Sequence, residues 1–178
     1  MIEIEKKSLI SEAQYKIIVD KISGKSNKKT TQINYYYDTE NYILFNKNET
    51  LRIRQINDCL ELQFKHEKKR FNEIRISKEF SKEVNCLPRV ILINGLEIIF
   101  VGTLITERIR VIFDKFTLFL DKNFYMGKVD YEIEIEAENI NGMPKELLGI
   151  EFINNCCGKY TRFICELLKQ KDYYEISK

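Results

Sequence analysis

The sequence has a single histidine, His66, in 178 residues, so neither a histidine-based metal centre nor a histidine-centred catalytic triad is expected. Its five cysteines (Cys59, Cys86, Cys156, Cys157 and Cys165) are an odd set without a CxxC pair. That usage fits a reducing cytoplasm better than a disulfide framework or a zinc site. Only two prolines and seven glycines occur. No Pro/Gly/Ser-rich stretch, repeat or low-complexity linker divides the chain, so one domain over 1–178 is expected. No run approaches the ~18 apolar residues of a membrane span, and the opening MIEIEKK lacks an apolar signal core. A cytoplasmic protein is therefore expected. The formal net charge is +2, which gives no global attraction to nucleic acid or an anionic membrane; any electrostatic function has to be local.

What the sequence does have is alternation. Residues 130–138 read DYEIEIEAE, with acids at every second position and Tyr131, Ile133 and Ile135 between them. On a β-strand this puts the carboxylates on one face and the apolar groups on the other. Glu3/Glu5/Lys7, Arg52/Arg54, Glu61/Gln63/Lys65, Glu73/Arg75 and Arg108/Arg110 repeat the pattern. About eight strands are expected, mostly in hairpin order: antiparallel α+β, or a closed barrel with helices outside. Ser11 and Gln14 form a capping box for a first helix whose apolar stripe is Ala13, Ile17, Ile18 and Ile22. Further helices are expected from Pro88 to Asn94, from Pro144 to about Asn155, and from Tyr160 to Lys169. Lys25 to Lys29 reads as a solvated loop, and His66 as solvated in a turn. Cys156-Cys157 reads as packing at a helix end.

A charged strand face can simply meet solvent, with cross-strand Glu–Arg pairs contributing roughly 0.2–1 kcal/mol each. These strands, however, repeat same-sign pairs (ExE, RxR), which repel unless something outside the chain compensates them. Carboxylate clusters suit a hard divalent cation, and arginines match phosphate oxygens bidentately. A face carrying both suits a metal–polyphosphate complex.

In order along the chain stand ExExK at Glu3 to Lys7, YYDT at Tyr36 to Thr39, LRIR at Leu51 to Arg54, and a strand ending in Lys65. ER at Glu107-Arg108, LD at Leu120-Asp121, YEIEIE at Tyr131 to Glu136 and KYTRF from Lys159 follow. This ordered set resembles the CYTH, or triphosphate tunnel metalloenzyme, superfamily, and most of all its small bacterial, Firmicute-type single-domain members. The resemblance implies an eight-stranded antiparallel barrel with inward charges and helices packed outside. It implies a Mg²⁺ or Mn²⁺ site served by Glu3, Glu5, Asp121, Glu132, Glu134 and Glu136. Phosphates would be held by Lys7, Arg52, Arg54, Lys65, Arg108 and Lys159, with Lys7 and Glu134 catalytic, and Glu73 would be a tunnel acid. Arg110 and Arg162 are read either as secondary phosphate ligands or as surface charges. The implied activity is metal-dependent hydrolysis of a small triphosphate, inorganic, thiamine or nucleoside. A class IV-type adenylyl cyclase and a non-catalytic polyphosphate- or nucleotide-binding module are the alternatives. Some triphosphatase relatives use a second lysine on a KxR strand; here that position is Thr106. No membrane or nucleic-acid partner is expected, and the chain is expected as a monomer or homodimer.

Overall fold

The computed structural model describes residues 1–71, 73–144, 146–147, 149–152 and 157–176, with backbone alone for 146, 150, 151 and 172–176. In chain order the elements are β1 (Ile2–Ile10), α1 (Glu12–Ile22), β2 (Asn27–Asp38), α2 (Ile43–Asn46), β3 (Glu49–Ile56), β4 (Cys59–Phe71) and β5 (Ile74–Val84). After these come β6 (Val90–Ile93), β7 (Leu96–Ile112), β8 (Thr117–Tyr125), β9 (Lys128–Ala137), β10 (Glu146–Leu147), β11 (Ile150–Glu151) and α3 (Lys159–Ile176).

The large sheet runs β2-β3-β4-β5-β1-β9-β8-β7, and β7 pairs back onto β2, closing an antiparallel barrel of eight strands. β6 hangs on β7 outside this closed set. The expected barrel with helices outside is thus the observed fold. Register keeps the alternating charges of β1, β3, β7 and β9 on one side. Glu5 lies opposite Glu136, Lys7 opposite Glu134, and Arg108 opposite Asp121.

The apolar sides of β7, β8 and β9 are covered from outside by α1. Ile18 and Ile22 pack on Ile109, Val111, Leu118, Leu120, Ile133 and Ile135. The capping box forms as expected: Gln14 N donates to Ser11 Oγ at 3.2 Å, and Ser11 N to Gln14 Oε1 at 2.8 Å. Ile17, however, faces solvent rather than the core.

Several local expectations are overturned. Residues 90–93 are a strand. Asn94 (φ 50°) and Gly95 (φ 80°) are both left-handed and form a two-residue hairpin turn, not a helix stop. The stretch after Pro144 forms the β10–β11 hairpin over its described residues, with Gly149 (φ 79°) at its turn, instead of a helix. The rest of that expected helix, and Cys156, lie outside the described residues; Cys157 is exposed. Lys28 and Lys29 belong to β2, pairing with Arg110 and Ile109. His66 sits within β4, its Nδ1 3.2 Å from Glu49. Among the described residues, no helix is long and apolar enough to cross a membrane.

Candidate active site

The inward side chains surround a cavity of ≈ 730 Å³. Its walls alternate in charge because each strand contributes its even or odd set: Glu3, Glu5 and Lys7 from β1, Arg52 and Arg54 from β3, Lys65 from β4, Arg108 from β7, and Glu134 and Glu136 from β9. Asp121 and Glu132 are fully buried behind this surface.

Two carboxylate groups converge. Glu3, Glu5 and Glu134 form one triad and Asp121, Glu132 and Glu134 the other; within each, the oxygens lie within 4.8 Å of one another. Glu134 belongs to both. Such all-oxygen, multiply charged sets fit a hard divalent cation such as Mg²⁺ or Mn²⁺, and the donor chemistry contains nothing soft.

The chain's own cations currently balance these acids. Lys7 Nζ lies 3.0 Å from both Glu5 and Glu134. Lys65 contacts Glu3 and lies 3.1 Å from Glu5. Arg108 grips Asp121 through two hydrogen bonds of 2.7 Å and reaches Glu134 at 3.3 Å. Lys159 lies 2.8 Å from Asp121, contacts Glu132, and approaches Glu134 at 3.6 Å. Burial alone would push the Glu134 carboxyl up, but Lys7, Lys159 and Arg108 hold it well below the ordinary range. Burial works against the Lys7 ammonium too, and Glu134 and Glu5 outweigh it, so Lys7 stays protonated. Glu132, flanked by Lys159 and Arg162, is brought down to about 2 against its burial. Glu136 goes the other way. Burial and then the charges of Glu134 and Glu3 raise it to about 9.

Arg52 and Arg54 stand apart. Arg52 Nε donates to Gln63 Oε1 at 2.8 Å and Arg54 Nε to Asn34 Oδ1 at 3.1 Å. Both partners are neutral, and among the described residues neither arginine forms a salt bridge. Burial, then Arg52 and Arg108, lower the Arg54 guanidinium to about 9. An arginine destabilised to this degree by burial and by neighbouring cations gains most from an incoming anion.

At the end of the barrel where β2 finishes, α3 covers the opening. Tyr160, Phe163 and Ile164 pack on the inward residues Tyr36, Leu104 and Tyr125. Gly102 permits this contact: a Cβ there would lie 2.5 Å from the Phe163 ring. Asp38, of the YYDT stretch, fixes the arrangement. Its Oδ1 accepts from Thr39 N at 2.7 Å and Leu44 N at 2.9 Å, and its Oδ2 from Phe45 N at 2.9 Å and the Tyr160 hydroxyl at 2.6 Å. The tie to Tyr160 holds the preceding residue, Lys159, over the acids.

The CYTH domain model matches residues 1–148. The chain belongs to the CYTH family. YjbK of Bacillus subtilis (strain 168), named as an inferred triphosphatase, is 30% identical over 147 residues, 76% of this chain and 77% of that protein. Among solved structures, HpAC1 from Hippeastrum, described as an inferred adenylyl cyclase with a dominant triphosphatase activity, superimposes with TM-score 0.75 at 22% identity. That match covers 92% of this chain and 95% of the other. The bh2851 protein of Bacillus halodurans, described as an inferred adenylate cyclase, matches with TM-score 0.64 at 20% identity over 94% of this chain and 88% of its own. At these identities the two structures share the CYTH barrel fold with this chain.

Of the residues that the resemblance implies for metal and phosphate, Glu3, Glu5, Lys7, Arg52, Arg54, Lys65, Arg108, Glu134, Glu136 and Lys159 line the cavity, Asp121 and Glu132 are buried behind it, and Glu136 stands outside both triads. Glu73 does not line the cavity. It lies outside the barrel, 2.8 Å from Lys6 Nζ, because β5 begins only at Ile74. Arg110 lines the cavity while remaining largely exposed. Arg162 is engaged by Asp130 at 2.9 Å and Glu132 at 2.8 Å, so it braces the acidic strand. Thr106 points inward and donates to Asn123 Oδ1 at 2.8 Å. Arg75, Tyr36 and Tyr160 also line the cavity and are not among the site residues expected from sequence. The Glu73/Arg75 alternation was the available signal for Arg75.

Proposed function

We propose that this CYTH protein is a metal-dependent hydrolase of a small triphosphate, releasing orthophosphate by in-line attack of water on the terminal phosphorus. The observation that carries the reading is the pairing of opposites across one cavity. Two half-buried arginines with only neutral partners among the described residues face two carboxylate triads. The relatives' names, a triphosphatase in YjbK and a dominant triphosphatase activity in HpAC1, support the same chemistry.

In this reading Arg52, Arg54, Lys65 and Arg108 bind the phosphate oxygens, the arginines by planar two-point contacts. Glu3, Glu5 and Glu134, or Asp121, Glu132 and Glu134, would hold Mg²⁺ or Mn²⁺, with Glu136 assisting near Glu3. A divalent cation held there supplies charge neutralisation on the phosphoryl oxygens and a more acidic water. Lys159 and Lys7, freed from part of their pairing with the acids, would turn toward the anion. Lys7 keeps its proton and stabilises charge on the transferred group. Glu134 stays ionised and orients water by accepting its hydrogen bond. Positioning and electrostatic stabilisation then account for most of the rate.

A panel of inorganic triphosphate, thiamine triphosphate, ATP and GTP with Mg²⁺ or Mn²⁺, scored by product, tests this. Orthophosphate release lost in E134Q and R52A is expected. Cyclic AMP with pyrophosphate would instead establish a cyclase, and tight binding without turnover a binding module.

A further inference from the structure

Among the described residues, one cation of the cavity forms no ion pair and also leaves a guanidinium nitrogen without a hydrogen-bond partner. Arg75, on β5, is 8% exposed and lines the cavity, and its Nη2 is buried without a hydrogen-bond partner. Among the described residues it takes part in no salt bridge, whereas Lys7, Lys65, Arg108 and Lys159 each contact at least one carboxylate. Two residues along the same strand face, Ser77 is 1% exposed and its Oγ is likewise unpartnered. Burying a guanidinium nitrogen with no hydrogen-bond partner is costly, and burying a lone hydroxyl beside it adds to that cost. An arrangement that leaves both groups unsatisfied on one wall of a cavity is prepared for an anion.

Its position says which part of the anion. Arg75 is the cross-strand partner of Glu5 and of Arg70. A Cβ placed on Gly158, the residue before α3, would lie 3.5 Å from Arg75 Nη1. The head group therefore lies at the α3 end of the cavity, where Lys7 and Lys159 also reach. The Lys7 ammonium feels Arg75 as an opposing like charge. On the β7 side, Thr106 brings only a neutral hydroxyl, already given to Asn123.

We propose that Arg75, with the Ser77 hydroxyl beside it, is a further anion-binding group of this site, contacting the phosphate that lies deepest, next to Lys7. The inference rests on the triphosphate reading above and extends it to a residue which that reading does not use. Because Nη2 has no partner to lose among the described residues, its contribution appears only when the anion is bound.

The test compares thermal unfolding and calorimetric binding of inorganic triphosphate, with Mg²⁺ and with chelator, in the parent and in R75M, R75K, S77A and R52A. R75M should unfold at or above the parent temperature without anion, since it removes an unpaired buried charge. It should bind triphosphate on the order of ten- to a hundredfold more weakly. R75K, which keeps the charge but not the fork, should fall between the two, and S77A should show a smaller loss. Parent-like affinity in R75M overturns the inference and leaves the tunnel reading standing. So does an anion-free unfolding temperature that drops equally in R75M and R75K, which would make Arg75 structural. If the parent and R52A bind triphosphate equally or not at all, the tunnel reading itself fails and this inference falls with it.

Discussion

Glu134 is the residue on which most of the electrostatics turns. It belongs to both carboxylate triads and receives Lys7, Arg108 and Lys159. E134Q keeps the shape and removes the charge. Divalent-cation affinity, measured by Mn²⁺ titration, should therefore fall by at least tenfold, more than in E136Q, whose carboxyl is in neither triad. Glu136 in turn sets a pH dependence in the metal-free protein. Its folded-state value, raised to about 9 by burial and by Glu134 and Glu3, exceeds the ordinary 4.5. The folded state thus holds a proton that the unfolded state has released. The stability linked to this group is full below 4.5 and is lost as pH rises through about 9. Urea midpoints of the metal-free parent should fall between pH 5 and 9, and E136Q should flatten that part of the profile. The acids of β1 and β9 and the arginines of β3 and β7 were readable from alternation, because a period of two is visible in one dimension; Asp121 and Lys159 came only from the family resemblance. That Arg75 Nη2 lacks a partner among the described residues was not readable, since partners are fixed by which strands become neighbours.

Among the elements, the eight barrel strands were legible, whereas β6 and the β10–β11 hairpin stand where helices were expected. VILI at 90–93 followed by Asn-Gly fits a short helix and its stop as well as a strand and its hairpin turn. A run of four apolar residues carries too little periodicity to separate them. The β-branched content and the two left-handed turn residues decide for the strand. In α3 the helix was legible, but its placement was not. What docks it is Gly102 on β7, whose missing side chain leaves room for Phe163. G102A should force the ring off, a Cβ at 2.5 Å being too close, and its φ of 147° adds backbone strain. A loss of about 1–3 kcal/mol in urea unfolding is expected, partly recovered in G102A/F163L. The Asp38 carboxylate works on the same joint, binding three backbone amides and Tyr160. D38A would leave those buried donors unpaired, and a loss of about 3 kcal/mol or more is expected, together with weaker triphosphate binding as Lys159 loses its hold.

At the scale of the whole molecule, barrel closure turns sequence alternation into function. An open sheet with the same strands would spread its charges into solvent, where each pair contributes little. Closing β2 onto β7 puts same-sign clusters face to face in a volume of ≈ 730 Å³, with low-dielectric walls behind them. There they are weakly screened and strongly coupled to any metal or anion that enters. The α1 side chains that seal the outer surface are therefore part of the same device. The central claim is that these two sets of charges jointly receive one metal–triphosphate complex. The most direct measurement is a crystal structure with Mn²⁺ and inorganic triphosphate, with the Mn²⁺ located by anomalous scattering. The account predicts Mn²⁺ on Glu134 and its triad partners, and phosphate oxygens on Arg52 and Arg54. Mn²⁺ and triphosphate bound only on the outer surface, with the interior pairs unchanged, would contradict it.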